Sequence, residues 1–152
     1  MTISIISTGE QLFHDDLYVN FPELDIEQYN DTYYFALDSG ILPEEEDERK
    51  VKIVLNDLLT NWEKSVEALS NESTALLPID FSDQYVGALK VRRKDDHLTV
   101  HYSTYRMDGG MFPSFMNKIS FDEEIFTSKK SFTISVKDFL AEIMRERDKI
   151  EV

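Results

Sequence analysis

The chain has 152 residues, of which 41% are hydrophobic and 30% are charged, and its formal net charge is -14. This length and hydrophobic content suit one soluble domain with its own core, and the absence of cysteine excludes disulfides, thiolate metal sites and cysteine nucleophiles. The N-terminus lacks a secretory pattern and no apolar run is long enough to span a bilayer, so we expect a single cytoplasmic domain over residues 1–152.

The acidic residues are concentrated in the first half of the chain. Residues 1–83 contain 19 Asp and Glu against 4 Lys and Arg, whereas residues 84–152 contain 11 against 12. Residues 1–48 contain no Lys or Arg and end in a run of five acids: Glu44, Glu45, Glu46, Asp47 and Glu48. Such a surface repels nucleic acid and anionic lipid, so we expect neither as a partner, and it attracts a basic protein. The alternative interpretation is that the charge only keeps the protein soluble.

The first half of the chain predicts one strand and one long helix. Residues 2–8 are rich in β-branched side chains and end at Gly9, which is typical of a short strand. Residues 10–43 show no clear period, apart from a strand or helical turn over residues 33–37. From Glu44 to Leu69 the apolar residues recur at steps of three and four, which predicts an amphipathic helix. The acidic run at its start suits the helix dipole and lacks the spacing of an EF-hand loop.

The second half predicts a β-hairpin. Residues 85–93 and 98–106 alternate with period two on either side of Asp95-Asp96. A two-residue loop at that point pairs Lys94 with His97. The same register sets two further pairs on the core face, Val91 with Val100 and Leu89 with Tyr102.

Further strands and a second helix follow the hairpin. Apolar residues predict one strand through Phe115, Ile119 and Phe121, and another through Phe132, Ile134 and Val136. Ser135 offers an N-cap to a C-terminal helix. We therefore predict an α+β fold, with an antiparallel sheet of about four to five strands and with the long central helix and the C-terminal helix packed on one face.

No segment carries a motif with a known chemical mechanism. On a strand, His97 and His101 lie about 13 Å apart, which is too far to share a metal ion. His101 and Ser103 share a strand face but lack the turn that exposes a catalytic serine. There is no glycine-rich dinucleotide motif, no phosphate-binding loop and no zinc-protease motif. We assign no catalytic residue and expect no metal and no cofactor.

Three groups of residues are candidates for function. The acidic run Glu44 to Glu48 is the candidate surface for a basic partner. The apolar loop with Met111, Phe112 and Phe115 either packs on the core or forms a partner or homodimer contact. A pocket near the sheet would involve His101, Tyr102 and Tyr105.

These candidates correspond to three hypotheses about function. The leading one is a small non-enzymatic binding protein, similar in kind to an inhibitor or an immunity protein, whose acidic surface recognises a basic protein. The first alternative is a small-molecule-binding domain or an enzyme with a pocket near the sheet. The second alternative is a homodimer built on the apolar loop.

Overall fold

In a computed structural model of the chain, the described residues form two antiparallel sheets and three α-helices. The structure describes residues 1–6, 16–41, 49–107, 112–118 and 123–151. The elements are β1 Thr2–Ile6, β2 Asp16–Phe21, β3 Ile26–Asp31, α1 Tyr33–Leu37, α2 Lys50–Glu67, β4 Thr74–Phe81, β5 Tyr85–Lys94, β6 His97–Arg106, β7 Glu124–Thr127, β8 Phe132–Ser135 and α3 Val136–Asp148. The predicted α+β class is confirmed. Among the helices described, none combines the length and the apolar character needed to cross a membrane.

The larger sheet has five strands and is built around the predicted hairpin. Its order is β4-β5-β6-β7, and β8 pairs with the other half of β6. Lys94 pairs with His97, and both predicted core pairs form with their side chains buried. Asp95 has a φ of 54°, which lies in the left-handed region that a tight two-residue turn requires. The predicted register is therefore confirmed.

Two helices supply much of the hydrophobic core. Helix α2 buries one apolar stripe, formed by Val51, Val54, Leu55, Leu58, Leu59, Trp62 and Val66. The indole Nε1 of Trp62 donates to the carbonyl oxygen of Pro78 over 2.9 Å, which fixes α2 against β4. Helix α3 begins as predicted, because the Oγ of Ser135 accepts a hydrogen bond from the Asp138 amide. An ion pair between Arg147 and Glu63 joins the two helices.

The predicted strand through Phe115 is wrong. Residues Pro113–Lys118 form a 3₁₀ helix, and the next strand of the sheet is β7. Pro113 has no amide hydrogen to give to a strand ladder. In addition, the carboxylate of Asp38 accepts hydrogen bonds from the amide and the hydroxyl of Ser114, both over 2.8 Å. Residues 119 and 121 of the predicted strand lie outside the described residues.

Strands β1, β2 and β3 form a second sheet that the sequence did not predict. Its order is β1-β2-β3, and Leu17, Val19 and Phe21 of β2 point into the core. Strands β2 and β3 are joined by the 3₁₀ turn Pro22–Leu24, which Asp25 ends with a φ of 57°. The predicted strand over residues 2–8 corresponds to β1, which ends at Ile6 within the described range.

Polar contacts attach this three-stranded sheet to the rest of the protein. The Nε2 of Gln28 donates to the hydroxyl of Tyr102 over 3.1 Å, so β3 is linked to β6. On the other edge, the buried carboxylate of Glu146 accepts a hydrogen bond from the Ile3 amide over 3.2 Å. Glu146 also binds the Nζ of Lys149 at 2.8 and 2.9 Å. The sheet is therefore held in place at both of its edge strands.

Candidate protein-binding surface

One face of the three-stranded sheet is turned away from the core and carries a distinctive set of side chains. Because side chains alternate along a strand, the residues between the buried ones on β2 all point outward. The strand pairing arranges them in three rows: Ile6, Asp16 and Asp31; Ser4, Tyr18 and Tyr29; Thr2, Asn20 and Glu27. These nine side chains form the outer sheet face. It contains three carboxylates and two tyrosines and no basic residue.

The two tyrosines lie side by side at the centre of the outer sheet face. Tyr18 and Tyr29 are opposite each other in the strand register, and their ring centroids are 5.3 Å apart. The Tyr18 hydroxyl donates to Oε1 of Glu27 over 2.9 Å and accepts from Nδ2 of Asn20 over 3.2 Å. The hydrogen bond to Glu27 raises the pKa of Tyr18. Among the described residues, no side chain forms a hydrogen bond with the Tyr29 hydroxyl, and 65% of the surface of Tyr29 is exposed.

The carboxylates of the outer sheet face lack basic partners. In the part of the chain that the structure describes, none of Asp16, Glu27 and Asp31 forms an ion pair. Asp25, in the turn beside this face, differs because it pairs with Lys130. Asp16 and Asp31 are directly opposite each other, so two like charges face one another across the strands.

The negative charge continues from the outer sheet face toward the larger sheet. Burial raises the pKa of Asp80 on β4, and the negative charge of Asp31 raises it further. Burial raises the pKa of Tyr102 to about 12, and the negative charge of Asp80 adds to this shift. Carboxylates from β2, β3 and β4 therefore contribute to one negative region.

The structure describes none of the sequence-predicted acidic run and only part of the sequence-predicted apolar loop. Glu44, Glu45, Glu46, Asp47, Glu48 and Met111 lie outside the described residues. Phe112 is half-buried, and its ring centroid lies 5.6 Å from that of Tyr34. For Phe115 the structure describes the backbone, which belongs to the 3₁₀ helix Pro113–Lys118.

The three residues of the sequence-predicted pocket do not point to the same place. Tyr102 faces the core and meets Gln28, whereas His101 and Tyr105 lie on the opposite face of β6. The Tyr105 hydroxyl donates to Oε2 of Glu124 over 2.9 Å, and burial raises the pKa of Tyr105. The Nδ1 of His101 is buried and has no hydrogen-bond partner within the described structure.

Two clefts among the described residues lie away from these three side chains. One of about 330 Å³ lies between α2 and the segment around Pro113 and Ser114, and one of about 710 Å³ runs along α3 beside Leu140 and Met144. Across the described ranges, no three His, Asp or Glu side chains group together as ligands for a metal ion.

Comparison with known proteins shows a likeness in fold but not in sequence family. No protein-family model matches the chain, and no curated protein matches it. A solved structure with a similar fold is a chain of the "CdiA-CT/CdiI toxin and immunity complex from Enterobacter cloacae". The two chains are 16% identical, the alignment covers 95% of this chain and 99% of that chain, and the TM-score is 0.49.

Proposed function

We propose that this protein is a non-enzymatic binding protein, of the inhibitor or immunity kind, that recognises a basic protein partner through its acidic first half. The observation that carries the proposal is the outer sheet face, where two tyrosines lie among three carboxylates that form no ion pair with any residue the structure describes. The acidic run Glu44 to Glu48 belongs to the same half of the sequence, and we include it in the binding region.

The chemistry of the outer sheet face suits a protein partner. Tyrosine is enriched at protein interfaces and at their energetic hot spots, because its ring buries a large area while its hydroxyl stays hydrogen-bonded. Unpaired carboxylates repel nucleic acid and steer a basic surface toward the face at long range. Tyr29, with 65% of its surface exposed, supplies apolar area that a partner would bury.

Two of the three residues of the alternative pocket, Tyr102 and Tyr105, are engaged in internal contacts. Tyr102 joins the two sheets through Gln28, and Tyr105 binds Glu124 within the larger sheet. The raised pKa values of both phenols keep them protonated at neutral pH, which suits neutral hydrogen-bonding groups. These contacts favour the binding proposal over an enzyme that uses this pocket.

The test begins with the partner and continues with matched charge variants. The tagged protein captures partners from extract of its native host, and a basic partner is then purified for kinetic measurement. The face variant combines Asp16→Asn, Glu27→Gln and Asp31→Asn. The control variant removes the same number of charges from exposed positions on other elements, with Asp57→Asn, Glu67→Gln and Asp96→Asn.

We expect the association rate to fall steeply as salt is raised, because the Debye length shortens to about 3 Å at 1 M salt. The face variant should associate more slowly at low salt and depend less on salt, and the control variant should change much less. A third variant, with Glu44, Glu45, Glu46 and Glu48 all replaced by Gln, measures how much the acidic run contributes to the association rate. If association with the native partner is insensitive to salt and to both acidic variants, the proposal fails.

A further inference from the structure

Tyr29 lies between two carboxylates on the same face of β3. Glu27 precedes it by two residues and Asp31 follows it by two, so both side chains emerge about 7 Å from that of Tyr29 along the strand. Across the sheet, Tyr29 meets Tyr18 rather than an aliphatic or basic residue. An exposed aromatic ring is therefore bordered by negative charge on two sides and by a second ring on the third.

The neighbouring ring is held in position before any partner binds. Tyr18 both donates to Glu27 and accepts from Asn20, and these two contacts fix the orientation of its hydroxyl. The hydrogen bond from Tyr18 also orients the Glu27 carboxylate beside the two tyrosine rings. A partner group that binds between the rings and the carboxylates meets an arrangement that needs little reorganisation.

The geometry points to arginine as the side chain that the outer sheet face recognises. We infer that the partner's arginines, in preference to its lysines, stack on Tyr29 and pair with Glu27 or Asp31; the inference rests on the proposed function. A planar guanidinium stacks on an aromatic ring and gives two parallel hydrogen bonds to a carboxylate. A lysine ammonium is a more strongly hydrated point charge and lacks the planar fork.

The experiment compares two peptides of equal length and charge, capped hexa-arginine and capped hexa-lysine, in titrations of the full chain at low salt. We expect hexa-arginine to bind about two- to fivefold more tightly, which is the gain of a cation that stacks on an exposed ring. Tyr29→Leu should abolish the preference while leaving the residual binding of hexa-lysine nearly unchanged. Tyr29→Phe keeps the ring and should keep the preference.

Tyr85→Leu is the matched control, because Tyr85 is an exposed tyrosine on a different sheet; it should leave both affinities unchanged. Circular dichroism and the melting temperature check that each variant is folded. Suppose that the two peptides bind wild type equally well and that the face variant binds neither. This result would overturn the arginine inference and leave the proposed function standing. If neither peptide binds, or if binding survives in the face variant, both the inference and the proposed electrostatic recognition are wrong.

Discussion

At the scale of single residues, the contact between Gly87 and Tyr102 shows how one missing side chain supports the junction of the two sheets. A Cβ placed on Gly87 would lie 2.0 Å from the hydroxyl oxygen of Tyr102 and 2.9 Å from its Cζ. That same hydroxyl accepts the hydrogen bond from Gln28 of β3. Glycine at position 87 therefore leaves the space in which Tyr102 reaches the three-stranded sheet.

We predict that Gly87→Ala destabilises the protein by about 1–3 kcal/mol, because overpacking forces a rigid ring to move. Tyr102→Phe alone should cost about 1 kcal/mol through the lost hydrogen bond. The double variant lacks the Tyr102 hydroxyl, so the closest clash with the new Cβ is absent. Its loss of unfolding free energy should therefore be smaller than the sum of the losses of the two single variants. Urea unfolding of the three variants measures this coupling, and strictly additive losses would show that the hydroxyl does not set the space at Gly87.

At the scale of elements, strand β7 is held to the larger sheet mainly by polar contacts. Ile125 and Phe126 are 54% and 53% exposed, so the strand buries little apolar area. The carboxylate of Glu124 instead accepts hydrogen bonds from Lys90 over 2.7 Å and from Tyr105 over 2.9 Å, and also from Thr127. One side chain thereby connects β5, β6 and β7.

The hydrogen bonds of Glu124 predict that its contribution to the stability of the protein depends on pH. The hydrogen bond from Lys90, followed by the one from Thr127, lowers the pKa of Glu124 in the folded protein. The unfolded chain therefore takes up a proton first, so the contribution is present above the unfolded value of about 4.3 and is lost as the pH falls through the folded value. Glu124→Gln should cost about 1 kcal/mol at neutral pH and much less near pH 3.

The measurement is urea unfolding of wild type and variant at both pH values. Glu123→Gln is the control, since this neighbouring carboxylate is exposed and should show little change at either pH. An equal loss for Glu124→Gln at neutral and acidic pH would mean that the ionised carboxylate is not what stabilises β7.

The elements differ in how far the sequence alone could predict them. The hairpin of β5 and β6 was predictable because its inward positions are apolar and its turn is short. Strand β3 was not predictable, because two of its inward residues, Gln28 and Asn30, are polar and make tertiary hydrogen bonds. Apolar and polar residues therefore do not alternate along it. Strand β7 exposes consecutive apolar side chains, which also conceals its period.

At the scale of the whole molecule, the acidic half of the sequence becomes a localised surface only through the topology. The excess of acids over bases in residues 1–83 is visible by counting, and so is the acidic run Glu44 to Glu48. The approach of Asp16 to Asp31 depends on the pairing of β2 with β3, and the approach of Asp31 to Asp80 depends on the packing of the two sheets. Long-range pairing of this kind leaves no local pattern in the chain.

Such a surface should reduce the stability of the fold, and this cost can be measured at Asp31. Like charges directly opposite each other on a sheet are unfavourable by a few tenths to about 1 kcal/mol. Asp31→Asn removes the repulsion from Asp16 and Asp80, while the remaining amide oxygen can still accept the 2.7 Å hydrogen bond from the Tyr33 amide. We therefore expect the variant to be more stable than wild type by about 0.5 kcal/mol at low salt.

If the proposed basic partner binds this face, the same substitution should weaken its association, so that stability rises while binding falls, which is the pattern of a residue retained for function. Because salt screens charges, the stability gain should shrink as ionic strength increases. Urea unfolding at low and high salt measures the gain, with Asp57→Asn on α2 as the control for a simple change of net charge. If Asp31→Asn lowers stability at low salt, the carboxylate supports the fold itself, and its place on a recognition surface loses its main physical support.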